Sequence, residues 1–462
     1  MFTCSIDKQE ICSGIATNAD NAAVVIGGGA AGTLVALEVL GAHAADRVLV
    51  VEPAIHLGRG VAYGTASLDH LLNVPARWLG ASPGRPDEFV TWARGRAPDT
   101  TPGSFLPRRW YGDYLADLLD HAAPAVDHVR SRAVDVVSGV DGVTVVLEDG
   151  RYLRAARAVL ALGPSPSAWP GGLAPAGGLP GMVEDPWAPG ALDDLPPGDV
   201  LLVGSGLTAV DAVLTLRGTG RRLIAVSRHG LLPAAHCDGP PVTPADLTVP
   251  SVRSARELVA WVRLTIAEHG REGGDWREVV DALRPATNAV WASLPLEERR
   301  RLVATAHRLW EVSRHRMAPR VAATIAELRA TGELDVRADR VDAVRVTGGC
   351  LEATLSQGGR TRAVAIVNCT GPTADVRRTA NPLVRHLLDV RALRPGPLAL
   401  GLDTDADGRV PNASGRLWVI GAHRRGRLWE TTAIPEIRQQ AAAIAAAWRR
   451  PASARDVAEL VG

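Results

Sequence analysis

Two glycine-rich turns in one chain constrain its fold more than any other feature of the sequence. The first turn lies in AVVIGGGAAG, where Gly27, Gly29 and Gly32 have GxGxxG spacing directly after an apolar run. The turn follows a Val-rich strand and opens an apolar helix, and this context gives the motif its meaning. Glycines let the backbone approach a pyrophosphate, whose charge then faces free N–H groups at a helix N-terminus. We therefore expect a dinucleotide site here.

The second turn lies in LLVGSGLTAVD and has the same context. It contains Gly204 and Gly206, with Ala209 at the position where a third glycine often stands. Leu207 and Thr208 would occupy the first turn of the helix that follows. Two such turns indicate two dinucleotides, and the usual pair is a bound flavin and the nicotinamide that reduces it.

Each glycine turn is followed much later by the same closing pattern. Two strand-like runs are broken by hairpin dipeptides, and a last strand then ends in Gly-Pro. The corresponding pairs are Asp141-Gly142, Asp149-Gly150 and Gly163-Pro164 in the first copy, and Gly348-Gly349, Gly358-Gly359 and Gly371-Pro372 in the second. We interpret the chain as two copies of one structural plan.

The predicted fold is α/β, with two Rossmann-like dinucleotide-binding domains and an all-helical insertion. Between the second glycine turn and its hairpins, apolar residues recur at helical spacing, and Glu and Arg fill the other face. The predicted segments are 22–166 and 395–450 for the flavin domain, 196–250 and 332–375 for the nicotinamide domain, and 251–331 for the insertion.

Residues at two strand ends predict which nucleotides are bound. Glu52 follows Gly32 by twenty residues, where a carboxylate accepts hydrogen bonds from an adenosine ribose. The corresponding strand of the second unit ends in Ser227 and Arg228 instead of a carboxylate. An arginine there can pair with a 2′-phosphate, so we predict NADPH in preference to NADH.

Composition excludes several other classes of protein. The net charge of +1 gives no reason to expect nucleic acid or an anionic membrane as a partner. Five cysteines include no CxxC pair, which argues against a disulfide reductase and against a zinc site, and we expect no metal. Lys8 is the only lysine, so a lysine Schiff base is not expected. Without a signal peptide or an apolar span, we expect a soluble cytoplasmic protein.

The motifs taken together resemble a known family. GGGAAG at 27–32, GRGVAYG at 58–64, HLLNVPA at 70–76, SRHGLLP at 227–233, RHRMAP at 314–319 and WETTAIPEIRQQA at 429–441 are similar to bacterial FAD-NAD(P)-binding proteins of the YdhS-like family. That family is itself similar to flavin-dependent N-hydroxylating and Baeyer–Villiger monooxygenases. The resemblance runs over roughly residues 22–448.

The resemblance implies FAD and NADPH as cofactors and indicates where each would bind. Residues expected to contact FAD are Gly27, Gly29, Ala31, Gly32, Glu52, Arg59, Tyr63, Asn73, Gly163 and Gly421. Residues expected to contact NADPH are Gly204, Gly206, Leu207, Thr208, Ala209, Ser227, Arg228 and Gly371. Candidates for catalytic contact are Tyr63, His70, Asn73, Arg316, Trp429 and Glu430.

Two departures from related flavoproteins bear on the reaction. The flavin-return strand often ends in Gly-Asp, but here it ends in Gly421-Ala422. The Baeyer–Villiger fingerprint FxGxxxHxxxW is absent, because VEDPW lacks the histidine. Baeyer–Villiger chemistry is therefore not expected.

We expect an FAD-dependent oxidoreductase that NADPH reduces and that transfers oxygen from O₂, through a C4a-hydroperoxyflavin, to a small molecule such as an amine. The residues leave two alternatives open. One is a reductase or oxidase that transfers no oxygen. The other is a cofactor-binding sensor or scaffold without turnover. Neither the substrate nor the oligomeric state follows from the sequence.

Overall fold

The computed structural model describes residues 21–237, 243–411 and 413–449. Cys4, Lys8 and Cys12 lie outside the described residues. The strands are β1 (Ala22–Ile26), β2 (Arg47–Val51), β3 (Val126–Val129), β4 (Ala133–Gly139), β5 (Gly142–Leu147), β6 (Tyr152–Ala155), β7 (Arg157–Leu160), β8 (Met182–Val183), β9 (Val200–Val203), β10 (Leu223–Ser227), β11 (Leu334–Ala338), β12 (Val341–Thr347), β13 (Cys350–Leu355), β14 (Arg360–Ala363), β15 (Ala365–Asn368) and β16 (Leu417–Val419).

Helices occupy the connections between these strands and the segment after β10. They are α1 (Ala30–Gly41), α2 (Gly60–Tyr63), α3 (Glu88–Arg94), α4 (Arg108–Ala122), α5 (Leu207–Leu216), α6 (Ala255–Arg271), α7 (Trp276–Leu283), α8 (Thr287–Ser293), α9 (Leu296–Thr305), α10 (His307–Arg314), α11 (Pro319–Ala330), α12 (Pro382–Asp389) and α13 (Ile434–Arg449). Among the described residues, none of the helices combines the length and apolar character needed to cross a membrane.

Two five-stranded parallel sheets form the frame, one for each glycine turn. The first has the order β16-β7-β1-β2-β3, and the second has the order β11-β10-β9-β15-β8. In both sheets the strand before the glycine turn is central, and all of its residues are buried. Such continuous apolar strands are expected where helices or a further sheet cover both faces. The prediction of two Rossmann-like units in an α/β fold is confirmed.

Each parallel sheet carries helices on one face and a small antiparallel sheet on the other. The first sheet packs against α1 and α13 on one side and against β4, β5 and β6 on the other. The second packs against α5 and α11, and on its opposite face against β12, β13 and β14. The strands of both antiparallel sheets meet at the predicted hairpin dipeptides. The duplication inferred from the sequence is therefore a property of the fold.

The helical segment after β10 has two parts with different surroundings. Helices α6 to α10 pack on one another, whereas Val321, Ile325 and Leu328 of α11 are buried against the second sheet. Helix α11 leads into β11, which pairs in parallel with β10, so α11 is the crossover helix of the second unit. The predicted range 251–331 thus contains a helical module over α6 to α10 and one helix that belongs to the Rossmann unit.

Candidate active site

The first glycine turn connects β1 to α1 and leaves its outer face open. Gly27 has φ +108°, and a side chain there would overlap the carbonyl of Ala161 at the end of β7. A Cβ on Gly29 would meet little besides the Cα of Gly60, at 3.5 Å. Gly29 precedes α1 without a capping side chain, so the N–H groups of the first turn face this open space. That combination fits a pyrophosphate.

Two charged side chains flank the first turn. The carboxylate of Glu52 accepts hydrogen bonds from the backbone N–H of Gly28 (2.8 Å) and of Ala54 (3.0 Å), which hold it at the end of β2. Arg59 donates one hydrogen bond to Asp113 (3.0 Å), and its Nε is buried without a partner among the described residues. An acceptor for a ribose and an orphaned cationic donor beside the same turn fit a dinucleotide.

The returning strand β16 ends at the same turn. Gly421 has φ +76°, and a Cβ there would lie 3.8 Å from that of Ala31 in the first turn of α1. The N–H of Gly421 donates to Gln440 of α13 (3.0 Å), and its carbonyl accepts from Thr431 (2.9 Å). Gly163, also at positive φ, follows the neighbouring strand β7. The C-terminal segment of the predicted flavin domain therefore returns to the first glycine turn.

The second glycine turn repeats the first in its geometry. Gly204 has φ +121°, and a side chain there would overlap the carbonyl of Cys369 after β15. Gly206 precedes α5 without a capping side chain, and Leu207 and Thr208 begin that helix. Ala209, where a third glycine often stands, is 1% exposed and packs in the core. Gly371, at φ +82°, has open space around it.

An arginine from the helical module reaches the second turn, which the sequence did not reveal. Arg308 of α10 donates hydrogen bonds to Oγ of Ser205 (3.2 Å) and to the carbonyl of Leu231 (2.6 Å). The hydroxyl of Ser205 also lies 2.7 Å from that of Ser227 at the end of β10. Burial and the nearby charge of Arg228 lower the pKa of Arg308, while Glu311 raises it. Two guanidinium groups thus lie close together at this strand end.

A cavity of about 210 Å³ lies where the two units meet, and we call it the junction cavity. Tyr63 and Asn73 of the first domain line it opposite Leu207 and Thr208 of α5, together with the start of α13 at Ile434. Burial raises the pKa of Tyr63 to about 12, partly offset by Arg108, so its phenol is protonated at neutral pH. Residues of both dinucleotide units and of the helical module meet at this one cavity.

His70 lies in the contact between the two domains. Its Nε2 is 3.1 Å from both the carbonyl of Asp211 and the hydroxyl of Thr215 on α5, and its Nδ1 is 2.7 Å from the hydroxyl of Thr65. Arg108 also pairs with Asp211 across this contact. His70 is 5% exposed and does not line the junction cavity, so its contacts hold the domains together.

A second cavity of about 540 Å³ adjoins the junction cavity, and we call it the arginine chamber. Arg284, Arg314 and Arg316 line it, and the first two also line the junction cavity. Arg316 is 2% exposed and pairs with Asp281 (2.5 Å). The predicted candidate Arg316 therefore lies on the chamber wall, next to the junction cavity rather than in it.

Trp429 and Glu430 lie at the contact between the helical module and the flavin domain. The ring of Trp429 lies 4.6 Å from that of Trp291 and borders an apolar cavity of about 430 Å³ within the helical module. The backbone of Glu430 exchanges two hydrogen bonds with the side chain of Asn288, and its carboxylate lies 3.6 Å from Arg314. Both residues connect the helical module to the flavin domain. Neither of them lines the junction cavity.

Comparison with known proteins agrees with this architecture. The sequence model of the family described as FAD-NAD(P)-binding matches residues 24–165, which contain the first glycine turn and its closing strands. No curated protein matches the sequence significantly. The match therefore covers the first glycine turn and the strands that close the first unit.

Solved structures with the same fold include two ornithine hydroxylases and a lysine monooxygenase. The ornithine N-hydroxylase of Kutzneria sp. 744 is 13% identical, with a TM-score of 0.65 over 93% of this chain and 99% of that chain. The ornithine hydroxylase of Pseudomonas aeruginosa is 14% identical, with a TM-score of 0.63 over 93% and 98%. L-lysine 6-monooxygenase of Pseudomonas syringae is 17% identical, with a TM-score of 0.63 over 93% and 99%. At these identities the likeness shows a shared two-dinucleotide fold.

Proposed function

We propose that this chain is an FAD-dependent oxidoreductase that takes a hydride from NADPH and uses O₂ to hydroxylate a small amine. One observation carries the proposal: both glycine turns are built to receive a dinucleotide, and residues of both units line the junction cavity. Several solved structures that share the fold are named as ornithine hydroxylases or as a lysine monooxygenase, which supports an amine as the substrate class.

The residues of the first unit would hold FAD by its pyrophosphate and ribose. The open face of Gly29 and the uncapped first turn of α1 offer N–H donors to the pyrophosphate. Glu52 would accept from the ribose, and the guanidinium of Arg59 would add a positive charge near the same turn. When bound, FAD would supply a two-electron acceptor for hydride and, once reduced, a reductant for O₂.

The residues of the second unit would hold NADPH in preference to NADH. The uncapped N-terminus of α5 after Gly206 faces a pyrophosphate as α1 does. At the strand end, Arg228 and Arg308 offer two guanidinium groups to a 2′-phosphate. Fixed contacts such as Arg108 with Asp211 hold the two units together, so both dinucleotides would keep a constant separation.

The junction cavity would orient the substrate and exclude water. Leu72 and Leu79 form part of its wall and are almost fully buried. Tyr63, whose phenol keeps its proton at neutral pH, can donate a hydrogen bond to a substrate or to a bound oxygen atom. The N-terminus of α13 at Ile434 adds a partial positive charge beside the cavity.

Aerobic turnover of the FAD-loaded protein tests this function. NADPH consumption, hydroxylamine product and hydrogen peroxide would be measured together with ornithine, lysine and cadaverine as substrates. We expect at least one amine to raise NADPH consumption and to yield hydroxylamine in proportion to it. Consumption that yields only peroxide with all amines would contradict hydroxylation. Absence of NADPH consumption would contradict the oxidoreductase itself.

A further inference from the structure

The helical module contains an apolar cavity of about 430 Å³, which we call the module cavity. Helices α6 to α10 form most of its wall, and Trp429 of the flavin domain completes one side. Ligand pockets in proteins have volumes of about 300–1,000 Å³ and mostly apolar walls with a few polar groups. An apolar cavity of about 150 Å³ is already enough to bind benzene. The module cavity therefore has the size and lining of a site for an apolar ligand.

Two helices of the module leave their apolar faces uncovered at this cavity. In α6, Leu258, Val262 and Ile266 recur at helical spacing and line the cavity. A stripe of this kind normally packs in a core, yet Ala255 is the only buried residue among the 17 described residues of α6. None of the described residues of α9 is buried. Apolar side chains that stay accessible around a cavity indicate a surface that a ligand covers.

Three tryptophans form the inner side of the module cavity, and two of them use their polar atoms elsewhere. The indole N–H of Trp291 donates to the carbonyl of Gly426 (3.0 Å), and that of Trp310 donates to the carboxylate of Glu430 (3.3 Å). The ring of Trp429 lies against that of Trp291. Because these two N–H groups have partners in the protein, the rings offer their apolar surface to the cavity. This side therefore suits a hydrocarbon.

The opening of the module cavity carries a single positive charge. Arg263 and Leu309 both line the cavity and are exposed, so the cavity is open to solvent. Burial lowers the pKa of His307 in the wall, partly offset by Glu311, so this histidine is neutral at pH 7. Arg263 is therefore the only charged group among the described lining residues, and it forms no salt bridge with the rest of the described chain. One guanidinium matches one carboxylate.

We propose that the module cavity binds a fatty acid of medium chain length, with its alkyl chain against the tryptophans and its carboxylate at Arg263. The part of α6 that lines the cavity, from Leu258 to Ile266, extends over about 12 Å, so the ligand is longer than a short-chain acid. Among the described residues, none lines both the module cavity and the junction cavity. The fatty acid is therefore a second ligand, and its binding does not depend on the proposed hydroxylation.

Calorimetric titration of the FAD-loaded protein with hexanoate, decanoate and decanol, in the absence of NADPH, tests the proposal. Each additional buried methylene group should tighten binding by about fourfold, so decanoate should bind about tenfold or more tightly than hexanoate. Decanoate should also bind about threefold more tightly than decanol, which lacks the charge. If decanoate does not bind, or binds no more tightly than hexanoate or decanol, the proposal is wrong.

Substitutions in α6 test the two ends of the ligand separately. Arg263→Gln should reduce the affinity for decanoate to that for decanol, and Arg256→Gln is the matched control, because Arg256 lies on the same helix and does not line the cavity. Val262→Trp should fill the cavity and abolish binding of all three probes, while FAD content stays unchanged. A ratio of decanoate to decanol affinity that persists in Arg263→Gln, or decanoate binding that persists in a folded Val262→Trp, would overturn the proposal.

A brominated chain locates the ligand even if Val262→Trp does not fold. Bromine quenches tryptophan fluorescence on contact, so 10-bromodecanoate should quench the fluorescence of the wild-type protein more than decanoate does. The quenching should be smaller in Trp310→Phe and unchanged in Trp187→Phe, because Trp310 lines the module cavity whereas Trp187 lines the junction cavity. Quenching that is lost in Trp187→Phe and kept in Trp310→Phe would place the chain in the junction cavity and overturn the proposal.

Discussion

At the scale of single residues, the glycines of the first turn differ in the space around them, so substitutions at these positions should have different effects. Gly27 and Gly32 allow close packing of the backbone, whereas Gly29 has room for a methyl group. Its backbone, at φ −74°, also suits alanine. A side chain at position 29 would therefore collide with the expected ligand and not with the protein.

Gly29→Ala should leave the apoprotein folded and weaken FAD binding by about tenfold or more, since the added methyl group lies where the pyrophosphate must approach. Titration of apoprotein with FAD by fluorescence quenching, and the melting temperature of the apoprotein, measure the two effects. Gly41→Ala, at the open far end of α1, is the control. Unchanged FAD affinity in Gly29→Ala would contradict the placement of the pyrophosphate.

Arg228 and Arg308 predict the choice of nicotinamide. Loss of one charge-assisted hydrogen bond to the 2′-phosphate costs about 1.5–3 kcal/mol, so Arg228→Ala or Arg308→Ala should each narrow the preference for NADPH over NADH by about tenfold or more. Arg222→Ala is the control, because Arg222 pairs with Asp335 on the exposed surface of the same domain. Anaerobic titration with both nicotinamides measures the ratio. If neither variant changes the preference for NADPH over NADH, Arg228 and Arg308 do not bind the 2′-phosphate.

His423 predicts a dependence of stability on pH. Burial lowers its pKa to about 4 in the folded protein, whereas an unfolded histidine titrates near about 6.5. The unfolded chain therefore binds the proton first, and stability falls as the pH drops from about 6.5 toward about 4, by up to about 1.4 kcal/mol per pH unit. Chemical unfolding at several pH values should show that the free energy of unfolding falls less steeply with decreasing pH in His423→Gln than in the wild type. An identical pH dependence in the variant would contradict the lowered pKa of His423.

At the scale of elements, the parts of the fold that the sequence revealed are those encoded by neighbouring residues. The Gly-x-Gly turns, the dipeptides Asp141-Gly142 and Gly348-Gly349, and the Gly371-Pro372 exit each determine a local backbone path, and each lies where it was predicted. The boundary of the insertion was less visible. Helix α11 has the same periodicity as its neighbours, and only its contacts with the second sheet distinguish it.

Contacts between distant segments were the part that the sequence could not reveal. Arg308 meets Ser205 across a separation of 103 residues, and no local pattern indicates that pairing. Trp429 and Glu430 stand close to α13 in sequence, which suggested a position beside the flavin, but no local pattern indicated their contacts with Trp291 and Asn288. Side-chain direction in loops depends on such packing and has no periodic signature.

The position of the helical module predicts that a substitution in it can impair substrate binding without impairing cofactor binding. Arg316→Ala should lower product formation sharply while FAD content and anaerobic reduction by NADPH stay nearly unchanged, because Arg316 lines the chamber and not the glycine turns. Arg320→Ala, at an exposed position on the next helix, is the control. Coupled turnover assays and flavin content measure both properties. Loss of flavin or of reduction in Arg316→Ala would show that this part of the module serves cofactor binding or folding.

At the scale of the whole molecule, two similar units face each other across the junction cavity and are held by polar contacts. Arg217 pairs with Asp69 (2.8 Å) and Arg108 with Asp211, and His70 bridges the same interface. The helical module closes the cavity from a third side through Arg284 and Arg314. In the proposed function the nicotinamide passes a hydride to the flavin across this junction, and that transfer is its central claim.

Anaerobic reduction of the FAD-loaded protein tests that claim most directly. The purified protein, reconstituted with FAD if needed, would be mixed with NADPH or NADH in a stopped-flow spectrometer while the flavin absorbance is followed. We predict stoichiometric flavin, full bleaching by NADPH, and a preference over NADH of about tenfold or more in the second-order rate of reduction. A protein that retains no flavin after reconstitution, or a bound flavin that NADPH does not bleach, would contradict it.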